Sequence, residues 1–128
     1  MLGEFFLPFP PSVNRTRRYG RKGWYPTPEF VAFRQTAVEA VRAVWTAEPY
    51  LGTVSVELRL YGHRRGWDVD NRAKCCLDAL EAGGAIANDN QVDRLLILRG
   101  PRHRGGGAWL LMEAMEPEPA PEWPHVAE

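Results

Sequence analysis

Hydrophobic and polar positions alternate most clearly between Leu51 and Gly62, where Val54, Val56, Leu58 and Leu60 fall on one side and Ser55, Glu57 and Arg59 on the other. A period of two over that length predicts a long strand with one face in the core. A different period governs the stretch before it. Thr27 followed by Pro28 supplies an N-cap residue and a proline at the first helical position, and Phe30, Phe33, Ala37, Val41 and Val44 recur at helical spacing, so a helix is expected through about Trp45. Ala73, Cys76, Leu77 and Leu80 at i, i+3, i+4 and i+7 predict a second, shorter helix, with Gly83-Gly84 just past its end. Glu4 to Phe9 reads as a strand stopped by Pro10-Pro11, and Val92 to Leu98 with Ala108 to Met115 as an antiparallel pair across an arginine- and glycine-rich turn. The expected order is β-α-β-α-β-β, an α+β domain with a small mixed sheet over residues 1–115. Residues 116–128 hold four prolines and four glutamates and predict a flexible tail.

A chain of 128 residues is one domain. Zero formal net charge speaks against a nucleic-acid binder until its distribution is seen. All 16 Lys and Arg lie within residues 1–112 against 11 Asp and Glu there, while five glutamates follow. Arg15, Arg17, Arg18, Arg21 and Lys22 form an acid-free run interleaved with Tyr19, Trp24 and Tyr25, the mixture that neutralises phosphates and stacks on unpaired bases. His63, Arg64 and Arg65 precede an acidic pair; Arg99, Arg102, His103 and Arg104 occupy the later turn. Cys75 and Cys76 are adjacent and the only cysteines, which excludes a four-ligand thiol site and suggests a reduced cytosolic protein. Met1 to Leu7 has no basic flank and contains an acid, so it fails as a signal peptide and is too short to cross a membrane.

The candidate chemistry lies in Asp68-Val69-Asp70-Asn71-Arg72-Ala73-Lys74 and Asp89-Asn90-Gln91-Val92. Two aspartates at i and i+2 share a side if the chain is extended there. Held close, such carboxylates repel unless a cation sits between them. Mg²⁺ suits that gap, taking one or two carboxylates and leaving room for water and substrate phosphate. Lys74, one turn after Asp70, can lean toward the acids or a bound phosphate, with Asp78 placed to orient it. Taken singly, each residue also fits a helix cap or a solvated ion pair.

Three blocks carry a family resemblance. They are Leu7-Pro8-Phe9-Pro10-Pro11-Ser12-Val13-Asn14, then Asp68-x-Asp70-Asn71-x-x-Lys74-x-x-x-Asp78-Ala79-Leu80, then Ile86-Ala87-Asn88-Asp89-Asn90-Gln91-Val92. In this order the chain resembles the RusA-type Holliday junction resolvases, endodeoxyribonucleases common in phages and prophages. The resemblance implies a RusA-like fold, Asp68, Asp70 and Asp89 as magnesium-binding acids and Lys74 as catalytic lysine. It further implies a homodimer acting on four-way junctions or other branched DNA during recombination and repair, in the cytoplasm of a bacterium or phage-infected cell, at the nucleoid. Asn14, the basic run to Lys22, Arg64 and Arg65 are the expected DNA contacts, and Phe5, Phe6 or the strand around Trp109-Leu110-Leu111 the expected dimer surface. Asn88 is a departure, since the family shows two consecutive acids there. Two alternatives stay open: a nuclease with another branched-DNA specificity, and a non-catalytic junction-binding relative.

Overall fold

A computed structural model of the chain describes residues 1–124. Its elements run β1 (Gly3–Leu7), β2 (Arg17–Gly20), β3 (Gly23–Pro26), α1 (Pro28–Val44), β4 (Val54–Tyr61), α2 (Ala73–Ala82), β5 (Val92–Arg99) and β6 (Gly107–Ala114), with single 3₁₀ turns at Val13–Arg15 and Asp89–Gln91. The alternation of β4 does what its period demands. Val54, Val56, Leu58 and Leu60 are fully buried and meet Phe5, Leu7, Leu110 and Met112 from neighbouring strands, with Phe33, Ala37 and Val41 of α1 and Cys76 and Leu80 of α2 packed over them. One face of a four-stranded sheet is thus covered by two helices, an α+β arrangement.

The strand order is β1-β6-β4-β5, and it corrects the expected hairpin. β5 and β6 do not pair with each other. β5 runs parallel to β4, with Leu58 opposite Ile97, and β6 runs antiparallel to both β4 and β1. The cause is the helix between β4 and β5, since a helical crossover returns the chain in the same direction and places β5 parallel beside β4. The strand between β5 and β6 in space is β4, and the intervening residues 100–106 pass over its end. Gly100 N donates to Leu60 O (2.8 Å) and His103 N to Gly62 O (2.9 Å). Spanning two strand spacings is about 10 Å, well within the reach of seven residues at about 3.3 Å each.

Three further differences bear on the site. Residues 17–26, expected only as a basic segment, form a separate two-stranded ribbon of β2 and β3. Phe5 is buried, so of the two N-terminal aromatics only Phe6, 68% exposed, is on the surface. In α1 the inward stripe takes Val38 in place of Val44, which is 52% exposed in the last turn. α1 and α2 come together where Gly83 leaves α2, since a Cβ there would lie 2.5 Å from Val41. Residues 115–123 carry no helix or strand, and the last four residues of the expected tail, 125–128, lie outside the described residues. No helix among the described residues is long and apolar enough to cross a membrane.

Candidate active site

α2 buries Ala73, Cys75, Cys76, Ala79 and Leu80, which turns Lys74, Asp78 and Glu81 outward along one flank. The ammonium of Lys74 donates to Asp78 Oδ1 (2.9 Å), one turn on, and to Asp89 Oδ2 (2.5 Å). Hydrogen bonds to Asp89 and then Asp78 raise the Lys74 pKa, so it stays charged. Glu81 Oε1 accepts from the Asp89 backbone N–H (2.8 Å), so the same helix flank fixes the backbone and the side chain of residue 89.

The turn that carries Asp89 is built by its neighbours. Asn88 caps it, its side-chain oxygen accepting from Asn90 N (2.9 Å). Gln91 Oε1 accepts from Ala87 N and Asn88 N, while its Nε2 donates to Tyr50 O (2.7 Å) and Gly52 O (2.9 Å). Asparagine at 88 therefore fills the cap with the same oxygen an aspartate would offer, and Asp89 keeps its place. The Gln91 anchor was missed in the sequence, because its partners are backbone carbonyls of a remote loop.

Asp68 and Asp70 lie in the loop between β4 and α2 rather than on an extended strand, and both are exposed. Arg72 holds this loop. Its Nη1 donates to Pro10 O (2.6 Å), and its guanidinium lies 4.8 Å from the Phe9 ring centre and 5.8 Å from that of Trp67. Burial lowers the Arg72 pKa, partly opposed by the nearby charges of Glu29 and Asp68. Trp67 is pinned in turn: its indole N–H donates to Arg64 O (2.9 Å), and Arg99 stacks over it at 4.4 Å while donating to its carbonyl (2.7 Å). Val13 N donates to Asn71 O (2.8 Å), tying the Pro-Pro-Ser-Val-Asn segment to the acidic loop. Arg72 stands in the acidic motif and Arg99 in the basic group of the sequence, but their role in bracing this loop is not readable there, since stacking on distant aromatics leaves no local pattern.

The expected acids do not close on a single point. Among the described residues no three His, Cys, Asp or Glu side chains come near enough to share one ion. Asp89 faces Lys74 instead. Neither Asp68 nor Asp70 is in an ion pair among the described residues, and Asn71 Oδ1 is buried beside Asp70 with no hydrogen-bond partner there. The unpaired carboxylates of Asp68 and Asp70 and the carboxamide oxygen of Asn71 are hard oxygen donors of the kind a divalent cation takes, whereas the Lys74 ammonium occupies Asp89 and would have to leave it first.

The basic residues line three clefts. Arg15, His63, Arg64, Arg65 and Arg72 line one cleft with Phe9 and Trp67, and Arg102 joins Arg64, Arg65 and Arg99 in the next. Arg17 lines a third with Lys74 and Asp78. Asn14 is exposed in the 3₁₀ turn beside them. Arg18 is exposed on β2, and Arg21 and Lys22 form the tip of the ribbon.

Known proteins share this chain's pattern. Crossover junction endodeoxyribonuclease RusA of Escherichia coli strain K12 is 31% identical over 113 residues, covering 85% of this chain and 92% of that protein. The proteins of the same name from Shigella sonnei strain Ss046 and from Enterobacteria phage 82 are 31% and 30% identical with the same coverage. Residues 8–106 match the family described as "Endodeoxyribonuclease RusA", a span that takes in the Pro-Pro-Ser-Val-Asn segment, both acidic elements, Lys74 and the arginines of all three clefts. The chain belongs to the endodeoxyribonuclease RusA family.

Proposed function

We propose that this protein is a Mg²⁺-dependent endodeoxyribonuclease that resolves Holliday junctions by paired nicks in opposing strands. One observation supports this most: Lys74, held by Asp78 and Asp89, lines a cleft with Arg17, and Arg15, Arg64 and Arg65 line a second cleft with Arg72, which Val13–Asn71 pairing ties to the acidic loop. The relatives are named for crossover junctions, which supports a junction as the substrate.

Asp68, Asp70 and Asp89 would hold the ion, whose chemistry when bound is to lower the pKa of a water and to take up charge on the leaving 3′ oxygen. For Asp89 to serve, Lys74 releases it and turns its ammonium to the scissile phosphate, where it stabilises charge built up in the transition state. Asp78 remains as the partner that orients it. The arginines of the neighbouring clefts hold the flanking phosphates. Hydrolysis in this direction leaves 5′-phosphates and 3′-hydroxyls that a ligase can rejoin.

Paired nicks call for two sites related by a two-fold axis, which a C2 homodimer supplies. Support comes from the sheet face that the helices leave bare. Across it the register sets Phe6 beside Trp109, Trp109 beside Arg59 and Arg59 beside Leu98. Arg59 stacks on Trp109 at 4.9 Å.

The test is incubation with a labelled mobile four-way junction and a linear duplex, with Mg²⁺ or EDTA. Metal-dependent nicks in opposing strands of the junction alone are expected. Asp70→Asn should abolish them while junction binding stays equal or tightens, because a ligand and a repelling charge are both removed. Wild-type binding without nicks would mark a non-catalytic relative, and equal cutting of flaps would mark a different branched-DNA specificity.

A further inference from the structure

The ribbon of β2 and β3 contributes nothing to the buried core, yet it is closely built. Tyr19 lies directly opposite Trp24, and Arg17 opposite Pro26. Residues 17, 19 and 24 share one face of the ribbon, because side chains alternate along each strand. There the two rings meet edge to face with centres 5.5 Å apart, and the Arg17 guanidinium lies 5.9 Å from the indole centre. Tyr25 and Arg18 occupy the opposite face as a second cross-strand pair. At the tip, Arg21 and Lys22 are followed by Gly23 at φ 96°, a conformation that glycine adopts without strain.

Most of the aromatic surface is bare. Tyr19 is 73% exposed and Trp24 68% exposed. One ring-to-ring contact suffices to brace a two-stranded ribbon, and it leaves the outward surfaces of both rings unused. The ribbon is also fixed in place at its base. Thr27 N donates to Thr16 O (3.0 Å) and Thr27 Oγ1 to Arg15 O (2.6 Å), while the same hydroxyl accepts from Phe30 N and caps α1. Arg17, at the root of the aromatic face, lines the cleft that also contains Lys74 and Asp78. The exposed rings therefore stand on a path that starts at the candidate catalytic lysine, flanked by four cations and no acid between residues 15 and 28.

We infer that the Tyr19 and Trp24 face of the ribbon stacks on bases left unpaired at a DNA branch point, and that this contact, rather than the cleavage residues, makes the protein prefer branched over linear DNA. The ligand follows from chemistry: flat π surfaces take flat bases whatever their sequence, and the surrounding arginines and lysine take the phosphates between them. A fully paired duplex offers phosphates but no free base face, so it would gain only the second contribution. This inference rests on the branched-DNA reading above.

The experiment uses the full chain in EDTA, so that binding is measured apart from cleavage. A four-way junction carries 2-aminopurine at the branch point in one preparation and deep in an arm in another. Wild type should change the fluorescence of the branch-point base alone. Tyr19→Thr with Trp24→Thr keeps strand propensity and removes both rings. It should lose that signal and weaken junction binding by about tenfold or more, the scale of a lost base stack, with duplex affinity nearly unchanged. Tyr19→Phe with Trp24→Phe, which restores rings without their polar groups, should recover both. An intact branch-point signal and junction preference in the double threonine variant would overturn the inference while leaving the nicking assay untouched. No junction binding by wild type would overturn the branched-DNA reading itself.

Discussion

At the residue scale the candidate site turns on a lysine held by two acids, and part of that was legible in the sequence. Lys74 and Asp78 are one helical turn apart, and periodicity alone brings them together. The partnership with Asp89 was foreseen only as a shared site, not as a bond, because nothing local says how far the turn at 89–91 folds back along α2. Removing the ammonium frees both acids. Lys74→Met should therefore stop cleavage and yet tighten divalent-ion binding measured by calorimetry without DNA. The gain should be at most about fivefold, the equivalent of the ~1 kcal/mol an exposed ion pair can hold. Unchanged or weaker binding would show that Lys74 does not compete for Asp89. Beneath it, burial pushes the Cys75 thiol up to about 11 from an ordinary 9.0, and pushes Cys76 up as well. An unfolded thiol ionises first, so the stability these groups lend is complete below about pH 9 and falls as pH rises toward about 11. Thermal melts across that interval should fall more steeply in wild type than in a Cys75→Ala, Cys76→Ala variant. Native protein at neutral pH should also resist alkylation by iodoacetamide.

Among the elements, the long alternating strand and the two helices were plain in the sequence because each buries one stripe against the core. The β2–β3 ribbon was not. Its residues Arg17 to Pro26 have no apolar face to create a period of two, so the signal that reveals most strands is missing. Pairing of β5 was also misread, since sequence neighbours favour a hairpin and only the crossover through α2 dictates otherwise. Thr27 joins two of these elements with one hydroxyl. Thr27→Ala should cost about 1–2 kcal/mol of stability by urea denaturation, as lost caps do, and should speed amide exchange at residue 27, whose N–H donates to Thr16 O, and along the ribbon. Thr27→Ser should restore most of both. Exchange at residue 27 and along the ribbon unchanged in the alanine variant would argue that the ribbon is held by other means.

For the whole molecule, the sheet has one face under helices and one face open, and the open face carries Phe6, Trp109 and Leu111 among its polar neighbours. If that surface joins two copies, light scattering should give twice the chain mass of 14.5 kDa. Phe6→Glu should shift the population toward monomer without lowering the helical signal in circular dichroism. A monomeric wild type would remove the open face as an interface. The sequence could not separate Phe5 from Phe6 in this respect, because both fit a strand and only the register with β6 decides which one points inward. Charge balance has a consequence on the same scale. Asp78 and Asp89 share one cation carried on the polypeptide itself, which offsets half of their charge without any free ion. If cutting needs the proposed divalent ion, a chain refolded in EDTA should therefore reach the same circular dichroism spectrum as one refolded in Mg²⁺, and gain its cutting capacity only when the ion is added.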